Sequence, residues 1–253
     1  MEKIMITSGN NKKIKELQKL KKNRNIKKYN KYLVEGIHLV KEALKANVVE
    51  EIIISENFNK KELNYLKEFV VVADNVIKLL GETVTSQGVI AVCSIEKKEL
   101  DINCYNRVLI LDRVQDPGNL GTIIRTADAF SFDCVVLGDE TTSLYGQKVL
   151  RSTQGSQFHI DCFENIVLEN LIDEMKEFDL YATSLKGNKY LEEVNDVGEK
   201  IAVIFGNEGA GVSNNILEKV NNLLKIKMTG EAESLNVAVS AGIIMNHIAN
   251  NIK

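Results

Sequence analysis

No run of about eighteen apolar residues occurs in the chain, which removes a membrane-spanning helix from consideration. The opening stretch, MEKIMITSGNNKKIK, lacks an apolar core followed by small residues, so it does not read as a signal peptide and a cytoplasmic protein is expected. Cysteine is sparse: Cys93, Cys104, Cys134 and Cys162 stand far apart, with no CxxC pair. That spacing argues against a zinc site or a disulfide framework, and thiols within VIAVCSI and DCVVL suit packing as small hydrophobes. Histidine is sparser still. His38, His159 and His247 are scattered, and no metal-ligating set emerges. His38 and His247 sit in helix-like segments and read as structural.

What is present is ordinary globular material. The 253 residues are 44% hydrophobic and 26% charged, enough for two modest domains. The net charge of −3 is unevenly spread: residues 1–45 carry 13 Lys or Arg and 4 Asp or Glu, a local +9, leaving −12 on the rest. A basic segment on an acidic body suits a grip on phosphates. A solvated, lysine-rich face is the alternative.

Ile14, Leu17 and Leu20 have helical spacing among lysines; Tyr32–Val34 reads as extended, followed by helical spacing at Ile37, Val40, Ala43 and Leu44. EEIIIS, EFVVVA and GVIAVCSI are β-rich runs separated by helical segments such as NKKELNYLKE. This gives a small α/β domain over 1–97. The polar, patternless stretch EKKELDINCYN holds the linker, at 98–106, and a second domain occupies 107–253. There RVLILD, DCVVLG, DLYATSL, KIAVIFGNEG and LLKIKM are strand-like, NLGTIIRTADAF is helix-compatible, and SLNVAVSAGIIMNHIANNI should be a largely buried helix. Alternating strands and helices predict a mostly parallel sheet covered on both faces.

Chemistry in such a sheet belongs at the carboxyl ends of its strands. Three loops there stand out. The first runs from Asp112 to Thr122 and holds the single proline, Pro117; Pro117-Gly118 forces a turn and Asn119 can cap the next helix. Arg125 is expected about one turn into that helix, where a cation opposes the helix dipole and an anionic partner such as an RNA phosphate would justify it. A merely exposed arginine is the other reading. The second loop, Gly206-Asn207-Glu208-Gly209-Ala210-Gly211, lets backbone approach a ligand closely. It is neither GxGxxG nor GxxxxGK[ST], which disfavours a Rossmann-type dehydrogenase. Glu208 suits a cationic ligand such as a sulfonium; a structural turn is the alternative. In the third, Ile226-Lys227-Met228-Thr229-Gly230 leads to Ser234-Leu235-Asn236. Ser234 is a natural helix cap and Asn236 can turn its amide back toward the loop; taken alone, a well-capped helix is the favoured reading of both.

The ordered set DPGNLGTIIRTADAF, IFGNEGAGVS and IKMTGEAESLNVAVSAG resembles the three motifs of SpoU-type (TrmH-like) RNA 2′-O-ribose methyltransferases, a branch of the SPOUT superfamily. KVLRSTQGSQFHI resembles that family's linking segment, and ITSGNNKKIKEL, KYLVEG and TVTSQGVIAV resemble its substrate-binding domain, which is similar to ribosomal protein L30e. Two positions depart from the pattern: Lys227 replaces a proline of the third motif, and Gln154 stands where a small residue is commoner, a change expected to tune access to the site.

The resemblance implies an α/β trefoil-knot methyltransferase domain after a smaller α/β L30e-like domain, a homodimer, and S-adenosylmethionine as cofactor without metal. It places the cofactor against Thr183, Ser184, Leu185, Gly206, Asn207, Gly209, Ile226, Met228, Ser234 and Leu235. It gives catalytic positions to Arg125, Asn119, Glu208, Ser234 and Asn236, and RNA contacts to Lys12, Lys15, Arg24, Lys31, Glu35 and Arg151. Guanidinium keeps its proton, so Arg125 is expected to clamp a phosphate beside the target ribose rather than act as a base. Ribosomal RNA is the expected substrate. The alternatives are transfer RNA, an antibiotic-resistance mark on ribosomal RNA, and a non-catalytic RNA-binding protein of the same fold.

Overall fold

The computed structural model describes residues 5–63, 68–195 and 197–251. They group into two units: Met1–Lys97 with Tyr145–Phe158, and Lys98–Leu144 with His159–Lys253.

In the first unit, α1 (Lys12–Lys19) starts at Asn11, whose side chain accepts from the Lys13 amide, and it buries Ile14 and Leu17 while its lysines face out. Helix α2 (Asn23–Tyr29) buries Ile26 and ends at Asn30, which takes a left-handed φ of 50°. Next come β1 (Lys31–Glu35), α3 (Ile37–Lys45), β2 (Val49–Ser55), β3 (Val70–Val72), α4 (Asp74–Leu80) and β4 (Val89–Ser94). The strands form a sheet in the order β1-β4-β2-β3, with β4 antiparallel to both β1 and β2. The helix expected over NKKELNYLKE is reduced to one 3-10 turn, Lys60–Leu63, in its described part; residues 64–67 lie outside the described residues.

The second unit holds β5 (Arg107–Leu111), α5 (Pro117–Ala129) and β6 (Cys134–Gly138). The helix that follows, α6 (Gln147–Thr153), belongs to the first unit: Leu150 is buried in that unit's core, and Tyr145 stacks against Tyr32 with ring centroids 4.7 Å apart. The segment read as part of the second domain, Gln154 included, therefore packs with the first. The second unit resumes with β7 (Asp161–Ile166), α7 (Leu168–Glu174), β8 (Asp179–Thr183), β9 (Lys189–Tyr190), β10 (Ile201–Phe205), α8 (Asn214–Leu217), β11 (Asn222–Lys225) and α9 (Val237–Asn251).

Its seven strands are ordered β7-β6-β5-β10-β8-β11-β9, and every neighbouring pair is parallel. β10 is buried along its whole length, as a central strand covered on both faces must be. On one face Val108, Ile110, Ala202 and Ile204 pack with Leu168, Leu171 and Ile172 of α7; each such large side chain contributes about 1.5–3 kcal/mol on burial. The stretch expected as a linker is instead the start of this unit: Ile102 is buried in the same core, with Leu100 and Tyr105 against it. Helix α9 is less buried than its apolar sequence suggested, since Val239 and Ile243 are exposed.

Candidate active site

Parallel strands deliver their carboxyl ends to one edge, and the three loops meet there. Asp116 caps α5 by accepting from the Asn119 amide at 2.9 Å, with Pro117 in the first turn where a missing N–H costs nothing. The cap is thus Asp116, and Asn119 is inside the helix with its side chain released for other work. Arg125 lies farther along than expected, at the ninth of thirteen helical residues, so the dipole at the helix start does not act on it. Its side chain is exposed and forms no hydrogen bond or ion pair with the described residues.

Glu208 joins the first loop to the second. Its carboxylate accepts from the amides of Gln115 (3.2 Å) and Asp116 (3.0 Å) and from Asn119 Nδ2 (3.0 Å). Burial pushes this carboxyl up, but the bonds from Asn119, from the amides of Asp116 and Gln115 and from its own amide outweigh that and hold it below the usual glutamate range. These neutral loop donors hold the carboxylate ionised and in place. Asn207 ties the turn from the other side: Nδ2 donates to Arg113 O at 3.0 Å, and Oδ1 accepts from the Gly209 and Ala210 amides at 3.0 Å each. A side chain at Gly206 would collide with the backbone of Gly211 and Val212, so only glycine closes this loop. Below it, buried Asp112 accepts from the Ser213 amide at 2.7 Å and from Arg113 Nε at 3.0 Å.

The third loop is fastened through Asn236. Its Oδ1 accepts from the amides of Ala238 (2.9 Å) and Val239 (3.3 Å), which caps α9, and its Nδ2 donates to Asn119 Oδ1 at 2.9 Å. The cap is Asn236; Ser234 stays exposed in the loop before it. The amide reaches Asn119 in α5, not the loop before α9 that the sequence reading expects.

Between the second and third loops and the ends of β8, β10 and β11 lies a cavity of about 210 Å³, whose lining includes Glu208 but not Asn119, Arg125 or Asn236. It gathers all ten positions expected around the cofactor: Thr183, Ser184, Leu185, Gly206, Asn207, Gly209, Ile226, Met228, Ser234 and Leu235. Sequence reading missed the α9 side of this wall, Val237, Ser240 and Ile244. Their spacing of three and four residues is a helical signal, but nothing in it distinguishes a ligand wall from core.

The six residues expected to touch RNA fare differently, all within the first unit. Lys12, Lys15 and Arg24 are exposed on α1 and α2. Lys31 pairs with Glu50, and Arg151 lies 3.5 Å from Glu82. Glu35 does not face outward: it is buried and accepts from the amides of Glu82 (2.9 Å) and Thr83 (3.2 Å) and from the Thr83 hydroxyl. It anchors the 81–83 turn.

Residues 106–246 match the model of the SpoU rRNA Methylase family, and residues 11–91 match the MRM3-like substrate binding domain. The chain belongs to the SpoU rRNA methylase family. This SpoU methylase is 41% identical to the 23S rRNA (guanosine(2553)-2′-O)-methyltransferase RlmP of Bacillus subtilis, over 96% of its own length and 98% of that protein's. Its structure superposes on an rRNA methyltransferase from Sinorhizobium meliloti with a TM-score of 0.88 at 26% identity, covering 98% and 97% of the two chains. An AdoMet-bound rRNA methyltransferase structure from the same organism matches with a TM-score of 0.85 at 25% identity, over the same shares.

Proposed function

We propose that this SpoU methylase transfers a methyl group from S-adenosylmethionine to a ribose 2′-hydroxyl of 23S ribosomal RNA, in the cytoplasm and as a homodimer. The observation that carries the reading is the cavity at the ends of β8, β10 and β11, walled by the second and third loops, which the Glu208–Asn119–Asn236 chain ties to the first. Its walls suit the cofactor. Leu185, Ile226, Met228 and Leu235 offer apolar faces to an adenine, while Thr183, Ser184, Ser234 and Ser240 offer hydroxyls to its polar parts. The bound cofactor supplies an activated methyl group on a sulfonium, which needs no metal to leave. The relatives from B. subtilis and S. meliloti carry ribosomal RNA methylation in their names.

The protein's part is alignment. Arg125 holds the phosphate beside the target ribose; a guanidinium presents a fixed fork of donors to phosphate oxygens. Asn119, Glu208, Ser234 and Asn236 shape the wall against which the ribose is set. Good alignment of two reactants supplies about 7–11 kcal/mol of a barrier. We assign the dimer contact to the outer face of α9, where Val239 is 51% and Ile243 39% exposed. The two exposed side chains lie one helical turn apart. We take the loops after β10 and β11 as the crossings of a trefoil knot, a reading supported by β8 lying between those two strands in the sheet.

The test is transfer of tritium from labelled S-adenosylmethionine into total RNA from a strain lacking the gene, followed by nucleoside analysis. A single 2′-O-methylated nucleoside in 23S RNA is expected. Label confined to transfer RNA would overturn the substrate, and absence of label in RNA and ribosomal particles alike would overturn the activity.

A further inference from the structure

A second cleft, in the first unit, takes no part in the methyl-transfer site. Its volume is about 510 Å³, inside the roughly 300–1,000 Å³ range of small-ligand sites. Leu17, Leu20 and Val92 give it apolar surface, and Tyr29, 42% exposed at the end of α2, stands at its side. Two ion pairs border it, Lys13 with Glu51 and Lys31 with Glu50.

The ground around the cleft is strongly cationic. Lys12, Lys15, Lys19, Lys22, Arg24 and Lys28 are all exposed on or between α1 and α2. Lys15 and Lys19 are four residues apart on one helix, as are Arg24 and Lys28 on the next. Like charges at that spacing repel, so the unliganded helices bear a small electrostatic cost that an anionic partner removes. Lys28 Nζ sits 5.6 Å from the Tyr29 ring centroid. An exposed aromatic ring among cations is the arrangement by which proteins hold single-stranded nucleic acid, the ring under a base and the cations along the backbone.

We propose that this cleft receives one unpaired nucleotide of the RNA substrate. Its base stacks on Tyr29 above the apolar surface, and the flanking phosphates run along α1 and α2. Glu50 and Glu51, held in place by Lys31 and Lys13, accept hydrogen bonds from amino groups on the base edge. The proposal rests on the RNA-methylating function above. It adds a recognition point remote in sequence from the catalytic loops.

Full-length protein, a 23S RNA transcript and labelled S-adenosylmethionine provide the test. Tyr29→Ala is expected to raise KM for the transcript about tenfold, with kcat and cofactor affinity unchanged, and Tyr29→Phe to restore KM because the ring is retained. Lys19→Gln with Lys22→Gln should lower the slope of log KM against log salt by about 1.5. If wild-type protein methylates the transcript and Tyr29→Ala leaves KM unaltered, the cleft is not a nucleotide site. If wild-type protein methylates nothing, the functional reading has failed instead. Ultraviolet cross-linking then decides the cleft separately: cross-links on α1–α2 peptides support it, and cross-links only elsewhere overturn it.

Discussion

Asn236 Nδ2 donates to Asn119 Oδ1 at 2.9 Å, across 117 residues of sequence. One side chain therefore caps α9 with its oxygen and fastens α5 with its nitrogen. Asn119 in turn donates to Glu208, so a single line of hydrogen bonds crosses all three loops.

That double duty can be separated by substitution. Asn236→Asp keeps the capping oxygen and removes the donor, so stability should hold while methyl transfer falls. Asn236→Ala should lose both, with about 1 kcal/mol of stability, the usual value of an N-cap. Thermal unfolding and initial rates on the same two variants are the measurement. Equal Tm values for the two would show that the capping bond contributes nothing.

Glu208 makes stability depend on pH. Its folded pKa is depressed, so the unfolded chain binds more protons through that range and the stabilisation is present above the unfolded value, about 4.3. It is lost as pH falls through the folded value. Denaturant midpoints of wild type and Glu208→Gln should thus converge as pH falls below about 4.3, with wild type the more stable at pH 7. A constant gap over that range would contradict the assignment.

Arg125→Ala should lower the methyl-transfer rate by about 100-fold or more while cofactor affinity stays within twofold, since misplacement by about 1 Å alone costs that much. Arg125→Lys should recover only part, because an ammonium cannot present the paired donors. Calorimetry with S-adenosylmethionine and a rate assay separate the two quantities.

Gly206→Ala should reduce cofactor affinity and destabilise the protein by about 1–3 kcal/mol, because the added methyl meets backbone rather than a movable side chain. Gly230, with open space around it, is the control: Gly230→Ala should be close to neutral in Tm.

The sequence by itself determined β5, β6, β8, β10 and β11, their parallel arrangement and the order of the loops, because alternating apolar runs leave few ways to bury them, while β7 and β9 carried no such run. It also carried a turn at Pro117 before α5, but placed the cap on Asn119, where the structure uses Asp116. Gly206 belongs to this group too. Tertiary structure decided whatever depends on partners far along the chain. Glu208 reads as a free charge until residues 92 and 89 positions earlier, Asp116 and Asn119, are folded against it. Glu35 reads as surface until the 81–83 turn closes over it. The segment 145–158 looks like part of the second domain, yet its apolar residues find their complement in the first unit. Apolar spacing fixes which face of an element must be covered, and only the assembled chain fixes what covers it.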